Sequence, residues 1–196
     1  MTDTAPLRAF VREFTRLVDS GASEERIFTE GRALLARLVR EDGWLPEEFA
    51  QPDAARFRQH LLHCDPLERF SVSATVFAPG QGTPVHDHTV WGMVGVLRGE
   101  EKCEEFAVPH GNGPMAPTGE HVLRRGDIDL VSPRIGDIHR VSNPRADMPS
   151  VSIHVYGANI GVTPRHRYDE RTGEAFGFVN SYVNTVVPNI WSAMPK

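Results

Sequence analysis

His86 and His88 stand one residue apart in PVHDH, and His139 follows about fifty residues later in PRIGDIH. In extended backbone, residues i and i+2 share a face. His86 and His88 therefore project together, while Asp87 points away. Two neutral imidazoles on one face make half of a metal site, and a third from another strand completes it. These residue types do not choose the ion, since three histidines and a water also suit zinc. A second constellation lies in SIHVY, where Ser152, His154 and Tyr156 share one face by the same period of two. A hydroxyl, an imidazole and a phenol in a row can hydrogen-bond end to end and fix the proton of the phenol. Read instead as a serine nucleophile with its base, the row lacks a carboxylate at a recognisable position. Arg165 comes nine residues after Tyr156. Its planar fork can bind a carboxylate through two hydrogen bonds. His166 and Arg167 are close enough to compete with it for that assignment.

The elements around these residues are legible from period and punctuation. Gly80, Gly82 and Pro84 mark a tight loop before the paired histidines, and TVWGMVGVL after them reads as a buried strand. Leu7, Phe10, Val11, Phe14, Leu17 and Val18 recur at helical spacing, and Asp19-Ser20-Gly21 ends that run. Ser23 with Glu24 and Glu25 signals a second helix start, continued by Ile27, Leu34, Leu35, Leu38 and Val39. Pro46 with Glu47 and Glu48 predicts a third helix or helix pair running through Phe57 to Leu62. From Phe70 the pattern changes to short β-branched runs with turns between them: SVSATVFA, VWGMVGVL, EEFAV, EHVLRR, DIDLVS, IHRVS and SVSIHVYG. Such a succession predicts a sandwich or barrel. Residues 109–119 read as a loop. The tail from Thr172 to Lys196 predicts a late strand and a segment packed over the barrel.

Composition sets the bounds. A chain of 196 residues predicts one domain, 1–196, with 1–65 mainly helical and 66–196 forming a β-barrel and C-terminal tail. A net charge of -5 leaves no basic excess for nucleic acid. No apolar run predicts a membrane span, and the N-terminus carries no signal-peptide pattern. Cys64 and Cys103 match no metal or redox motif and read as free thiols, which points to a reducing, cytoplasmic setting. His60, His63, His110 and His121 have no matching spacing and read as structural or exposed. The oligomeric state stays open.

The motifs as a set resemble a known superfamily. Gly80, His86-x-His88 and Gly99 resemble the first cupin motif; Gly126, Pro133, Gly136, His139 and Asn143 resemble the second. The glutamate usual after the histidine pair is missing, because its place falls on Gly92. Three histidines without that carboxylate, together with Ser152, His154 and Tyr156, resemble the cysteine dioxygenase family of thiol dioxygenases. The resemblance implies a cupin-type β-barrel (jelly roll), mainly β, with the N-terminal helices packed outside. It implies Fe(II) on His86, His88 and His139, and a small thiol carboxylate and O2 as reactants. It makes Ser152, His154 and Tyr156 the catalytic row, and Arg165 the carboxylate anchor, as in bacterial members acting on 3-mercaptopropionate. Animal-type members carry an anchoring Arg in a helix before the first barrel strand. Gln59 falls at or beside that place, as in the mercaptopropionate enzymes. A slip of one residue would put Arg58 there and favour cysteine. Animal members also carry a Cys after the histidine pair that cross-links to the active-site Tyr. Gly92-Met93 has none, so no cross-link is expected at Tyr156. Trp91 is either a pocket wall or core. The expected activity is oxidation of 3-mercaptopropionate to 3-sulfinopropionate, with cysteine as the alternative substrate. A zinc or manganese isomerase or hydrolase and a non-catalytic ligand-binding cupin are the remaining classes. The metal content of the purified protein separates them.

Overall fold

The computed structural model describes residues 2–107 and 113–184. The chain opens with α1 (Ala5–Asp19), whose Leu7, Phe10, Val11, Phe14 and Leu17 form one buried stripe. Gly21, at φ +69, turns the chain out of the helix. The Ser23 side chain then accepts a hydrogen bond from the backbone N–H of Arg26, with Glu24 and Glu25 in the same first turn. From there the helix runs through α2 (Glu24–Arg26), a π turn (Ile27–Gly31) and α3 (Arg32–Arg40). A Cβ at Gly31 would lie 2.8 Å from the Phe14 ring, so Gly31 is what lets this run cross α1 so closely.

The predicted third helix is absent. In its place are a 3-10 turn (Glu47–Phe49) and strand β1 (Arg58–Cys64). Over so short a stretch, Phe57, Leu61 and Leu62 fit either period. Pairing with the neighbouring strand decides, since Gln59 sits opposite Thr75 and Leu61 opposite Ser73. Gln59 is therefore a strand residue rather than a helical one, and residues 58–64 depart from the helical reading of 1–65.

The rest is β: β2 (Ser71–Phe77), β3 (Gly92–Arg98), β4 (Glu100–Phe106), β5 (Pro117–Arg124), β6 (Ile128–Val131), β7 (His139–Ser142), β8 (Ser150–Tyr156), β9 (Arg165–Tyr168) and β10 (Ala175–Phe178). β10 is the late strand expected in the tail, whereas β9 was not foreseen. Residues 117–119 of the expected loop belong to β5; residues 109–112, with His110, and 185–196 lie outside the described residues.

The strands form two antiparallel layers. One has the order β1-β2-β8-β3-β6. The other contains β5-β4-β7 and the β9-β10 hairpin, joined through His86, which bridges to both His139 and Arg167. This mainly β arrangement is the cupin-type barrel. Alternation along β2 and β8 divides their residues by face. Val72, Ala74, Val76, Val151, Ile153 and Val155 share one buried cluster with Phe10, Phe14, Leu35 and Leu38 of the helices. The helices thus pack on the outside of this sheet. Ser73, Thr75, Ser152, His154 and Tyr156 alternate with those positions and turn to the barrel interior.

Candidate active site

His86 sits in a short bridging segment before β3. Its N–H donates to the His139 carbonyl and its carbonyl accepts from the His139 N–H, both at 3.0 Å. This pairing places two of the three histidines side by side. His88 follows on the same face, and Thr89, at φ +61, then breaks the extended run. The three ring centroids lie 4.8 to 4.9 Å apart. One nitrogen of each ring falls within 4.8 Å of the others.

The second nitrogen of each ring is committed elsewhere. His86 Nδ1 lies 3.0 Å from the Pro84 carbonyl, which can only accept, so Nδ1 carries the hydrogen. His88 Nδ1 lies 3.0 Å from Asp137 Oδ1, while Asp137 Oδ2 accepts from the backbone N–H of His88 and Thr89. His139 Nδ1 is 3.4 Å from Cys103 Sγ. For His86 and His88 this leaves Nε2 with its lone pair for an ion, and outer partners of this kind orient metal-binding imidazoles. Burial pushes His86 down to about 4, with the Arg165 charge adding to the effect. Burial and neighbouring imidazoles hold His88 and His139 well below the usual histidine range. All three are neutral donors at neutral pH. Three neutral nitrogens on one face of a buried cavity fit a divalent transition-metal ion, which His86, His88 and His139 would hold.

Above them lies a cavity of about 210 Å³, between the two sheets. It is lined by Gln59, Thr75, His154 and Tyr156 from one layer and by His86, His88, His139 and Arg165 from the other. Ser152 Oγ is 2.8 Å from His154 Nε2, and His154 Nδ1 is 2.7 Å from the Tyr156 hydroxyl. The row expected from SIHVY is thus continuous. Burial takes His154 down to about 3, helped by His86 and Arg165, and raises the Tyr156 phenol. Neither group is ionised at neutral pH. The Tyr156 ring stacks on His88 at 5.3 Å.

Arg165 is 4 % exposed, and its Nε has no hydrogen-bond partner among the described residues. Its guanidinium lies 4.9 Å from the centre of the Phe178 ring. Among the described residues, no carboxylate lines the cavity. Arg167 also touches the cavity but is exposed, and lies against Phe176. The neighbouring His166 N–H and Nδ1 bind Asp87 at 2.7 and 2.9 Å, and the Tyr168 hydroxyl donates to it at 3.0 Å. Asp87, pointing away from the histidines as the spacing predicts, thus holds the strand that presents Arg165. Gln59 lines the cavity, and its Oε1 accepts from Asn180 Nδ2 at 2.6 Å. Arg58 alternates away and pairs with Asp53 at 3.1 Å.

At Gly92 a Cβ would lie 2.8 Å from Tyr156 Cδ1 and 2.9 Å from Cε1, so a side chain there would press on the ring. Trp91 packs with the helical core beside Phe14 and does not line the cavity. His60 and His63 are also outside the cavity lining, and both cysteines are free. Asp137, Cys103, Asn180 and Phe178 were missed by the sequence reading. Only Asp137 had a signal, standing two residues before His139 and so on its face.

Sheet order, external helices and the buried histidine triad define a metal-binding cupin. The family described as cysteine dioxygenase type I matches residues 39–171, and the chain belongs to that family. Cysteine dioxygenase type 1 of Homo sapiens is 30% identical over 127 residues, covering 64% of this chain and 62% of the human one. The Danio rerio protein of the same name is 28% identical over 148 residues, covering 74% and 68%. The chain thus spans 62% of the length of the human relative. Among solved structures, a Klebsiella pneumoniae protein with a double-stranded β-helix domain aligns with a TM-score of 0.46 at 18% identity, covering 69% of this chain and 88% of that one. No helix among the described residues is long and apolar enough to cross a membrane.

Proposed function

We propose that this protein is an iron-dependent thiol dioxygenase that oxidises the sulfur of a small thiol carboxylate, 3-mercaptopropionate, to the sulfinate. The observation that carries this reading is the cavity shared by three neutral histidines and one buried guanidinium, with no acidic partner among the described residues. Iron(II) on His86, His88 and His139 would supply binding of the thiolate and activation of O2.

The remaining work falls to the chain itself. Arg165 binds the substrate carboxylate through its fork and fixes the direction in which the thiol points. Phe57, Phe77, Val141 and Phe178 line the same cavity and exclude water around the substrate's methylenes. Tyr156 keeps its proton, because its phenol is buried and bonded to neutral His154. Its hydroxyl is the polar group of the row that meets the reactants. Holding both ends of a short substrate turns an encounter into a single oriented complex.

Substrate choice follows from what the cavity lacks. The ammonium group of cysteine would need an acceptor, and no carboxylate among the described residues lines the cavity. The Gln59 carbonyl already accepts from Asn180. A carboxylate without an amine suits this lining better. Cysteine is the second reading, favoured by the name of the human and Danio rerio relatives.

The test is oxygen uptake by the iron-loaded protein with 3-mercaptopropionate, cysteine and cysteamine in parallel, with the products identified by mass. Uptake fastest with 3-mercaptopropionate and matched by its sulfinate is expected. Faster turnover of cysteine would transfer the assignment to the second reading. Bound iron with no uptake for any thiol would overturn both.

A further inference from the structure

The β9-β10 hairpin, which carries Arg165, is a two-stranded sheet of its own. It meets the histidine segment through two backbone bonds. The Asp87 N–H donates to the His166 carbonyl at 3.0 Å, and the Tyr168 N–H donates to the Val85 carbonyl at 2.9 Å. With His86 bridging to Arg167, a regular antiparallel pair would give Asp87 and His166 a second backbone bond. The His166 N–H goes instead to the Asp87 side chain, whose Oδ1 accepts it at 2.7 Å. The other carboxylate oxygen accepts from His166 Nδ1 at 2.9 Å and from the Tyr168 hydroxyl at 3.0 Å. A carboxylate only accepts, so His166 Nδ1 carries its hydrogen. Three hydrogen bonds thus converge on the one side chain that stands between His86 and His88.

What this clamp holds in place is the charge next door. Arg165 immediately precedes His166 in β9. Its guanidinium rests on the Phe178 ring, and no carboxylate among the described residues lines the cavity beside it. No acid therefore fixes where the fork stands; the course of its strand does. Asp87 ties that strand to the segment that supplies two of the three histidines, so the ion's seat and the anchor share one point of attachment. A substrate held at both ends must span the distance between them. One methylene more or less changes the reach of a thiol acid by more than the spread of about half an ångström that a good hydrogen bond tolerates.

We infer that Asp87, His166 and Tyr168 are positioning residues whose clamp fixes the span between the histidine triad and the Arg165 fork, and so selects the chain length of the thiol carboxylate. This deepens the thiol dioxygenase reading and rests on it for the identity of the substrate. None of the three residues lines the cavity, so they act through Arg165 and not by touching substrate.

The test is calorimetric titration of the zinc-loaded full chain with 2-mercaptoacetate, 3-mercaptopropionate, 4-mercaptobutyrate and ethanethiol, the last lacking a carboxylate. The clamp is opened from its outer side by His166→Ala combined with Tyr168→Phe, which leaves Asp87 and the ligand histidines in place. The His166 side chain is 48% exposed, which favours a folded variant; Tyr168→Phe alone serves if the pair does not fold. The wild type is expected to bind the three-carbon acid tightest, and equal affinity for the three acids would overturn the proposal. In the variant, 3-mercaptopropionate is expected to bind about tenfold more weakly, the scale of one lost hydrogen bond to a charged group. Its margin over 4-mercaptobutyrate is expected to shrink, while ethanethiol affinity and zinc content stay as in the wild type. An unchanged margin in a folded variant refutes the clamp. So does an equal loss for ethanethiol, which would mean a general loosening of the site. Oxygen uptake by the iron-loaded proteins reads the same split, with KM for 3-mercaptopropionate raised about tenfold and kcat within about twofold. A wild type that selects the three-carbon acid yet oxidises no thiol would sink the dioxygenase reading and leave the clamp standing. Turnover by the wild type with an unchanged margin in the variant would do the reverse.

Discussion

Two clusters of three ligand-type side chains meet at Cys103, which belongs to one and touches the other. One is His86, His88 and His139; the other is Cys103, His121 and Asp129. In both, the ligand atoms come within 4.8 Å of one another, so proximity does not tell them apart. The rest of their surroundings does. The histidine triad is wholly buried, and two of its Nδ1 atoms donate to groups that can only accept. In the other cluster, the side chains of His121 and Asp129 are 36% and 20% exposed and bind each other at 3.2 Å. That imidazole and carboxylate have already satisfied one another. A ligand set differs from a salt bridge in that its inner atoms are left without protein partners, while its outer atoms are all occupied.

The sharpest way to break this contrast is to remove one imidazole from each cluster. His88→Ala is expected to weaken iron binding on the order of 100-fold or more, since loss of a ligand should exceed the 10–100-fold typical of losing an outer partner. His121→Ala should leave the iron content unchanged. Metal analysis after dialysis reads both, and equal losses would erase the distinction.

Acid should expose the cost of the triad in metal-free protein. His86 and His154, pushed to about 4 and about 3 when folded, take up protons only on unfolding as pH falls below the ordinary 6.5. The unfolded state then binds more protons, so stability present above 6.5 is lost on acidification, on the order of several kcal/mol for the two together. Glu101 works in the opposite direction. Its raised pKa favours the folded state below 4.5, and this contribution is lost as pH rises through about 7. Denaturant titrations across pH should show the acid limb shrink in His154→Gln and the alkaline limb shrink in Glu101→Gln. Unaltered limbs would mean that these groups are not buried as the structure shows.

Outer partners come next in size. Asp137→Asn loses the acceptor that holds His88 Nδ1–H, and an expected 10–100-fold drop in metal affinity follows, read by competition with a chelator. Asp129→Asn, in the other cluster, should leave that affinity unchanged. The smallest effect belongs to the shared residue. Cys103→Ala removes a 3.4 Å sulfur contact to His139, the longest and weakest of the three outer contacts. About threefold weaker binding is expected; a loss as large as that of Asp137→Asn would show that sulfur is as firm a clamp as carboxylate.

Much of the site could be read from period alone. Residues at i and i+2 share a face in any extended segment, so His86 with His88, and Ser152 with His154 and Tyr156, declared themselves. Gln59 shows the limit. Its cavity position was legible through resemblance, but its strand was not, because seven residues with both faces buried show neither a period of two nor of 3.6. Asp137 stood two residues before His139 and was legible by the same rule, whereas Glu101 was hidden for a different reason. A carboxyl buried by tertiary packing leaves no pattern in its own strand. Glu101 in particular looks like one more charge in GEEKCEEF until the barrel closes over it.

The cavity wall joins Gln59 to Asn180, and the Leu61 backbone to the side chain of Asn184, across more than a hundred residues of chain. The histidine triad, by contrast, is complete once residue 139 has found residue 86. Closing the longer loop costs more chain entropy and comes at the end of the sequence. During synthesis, then, the ion's seat can assemble while the substrate's chamber still lacks a side. Assembly of the histidine cluster and completion of the cavity wall would be separate events in the life of each molecule, ordered by the ribosome.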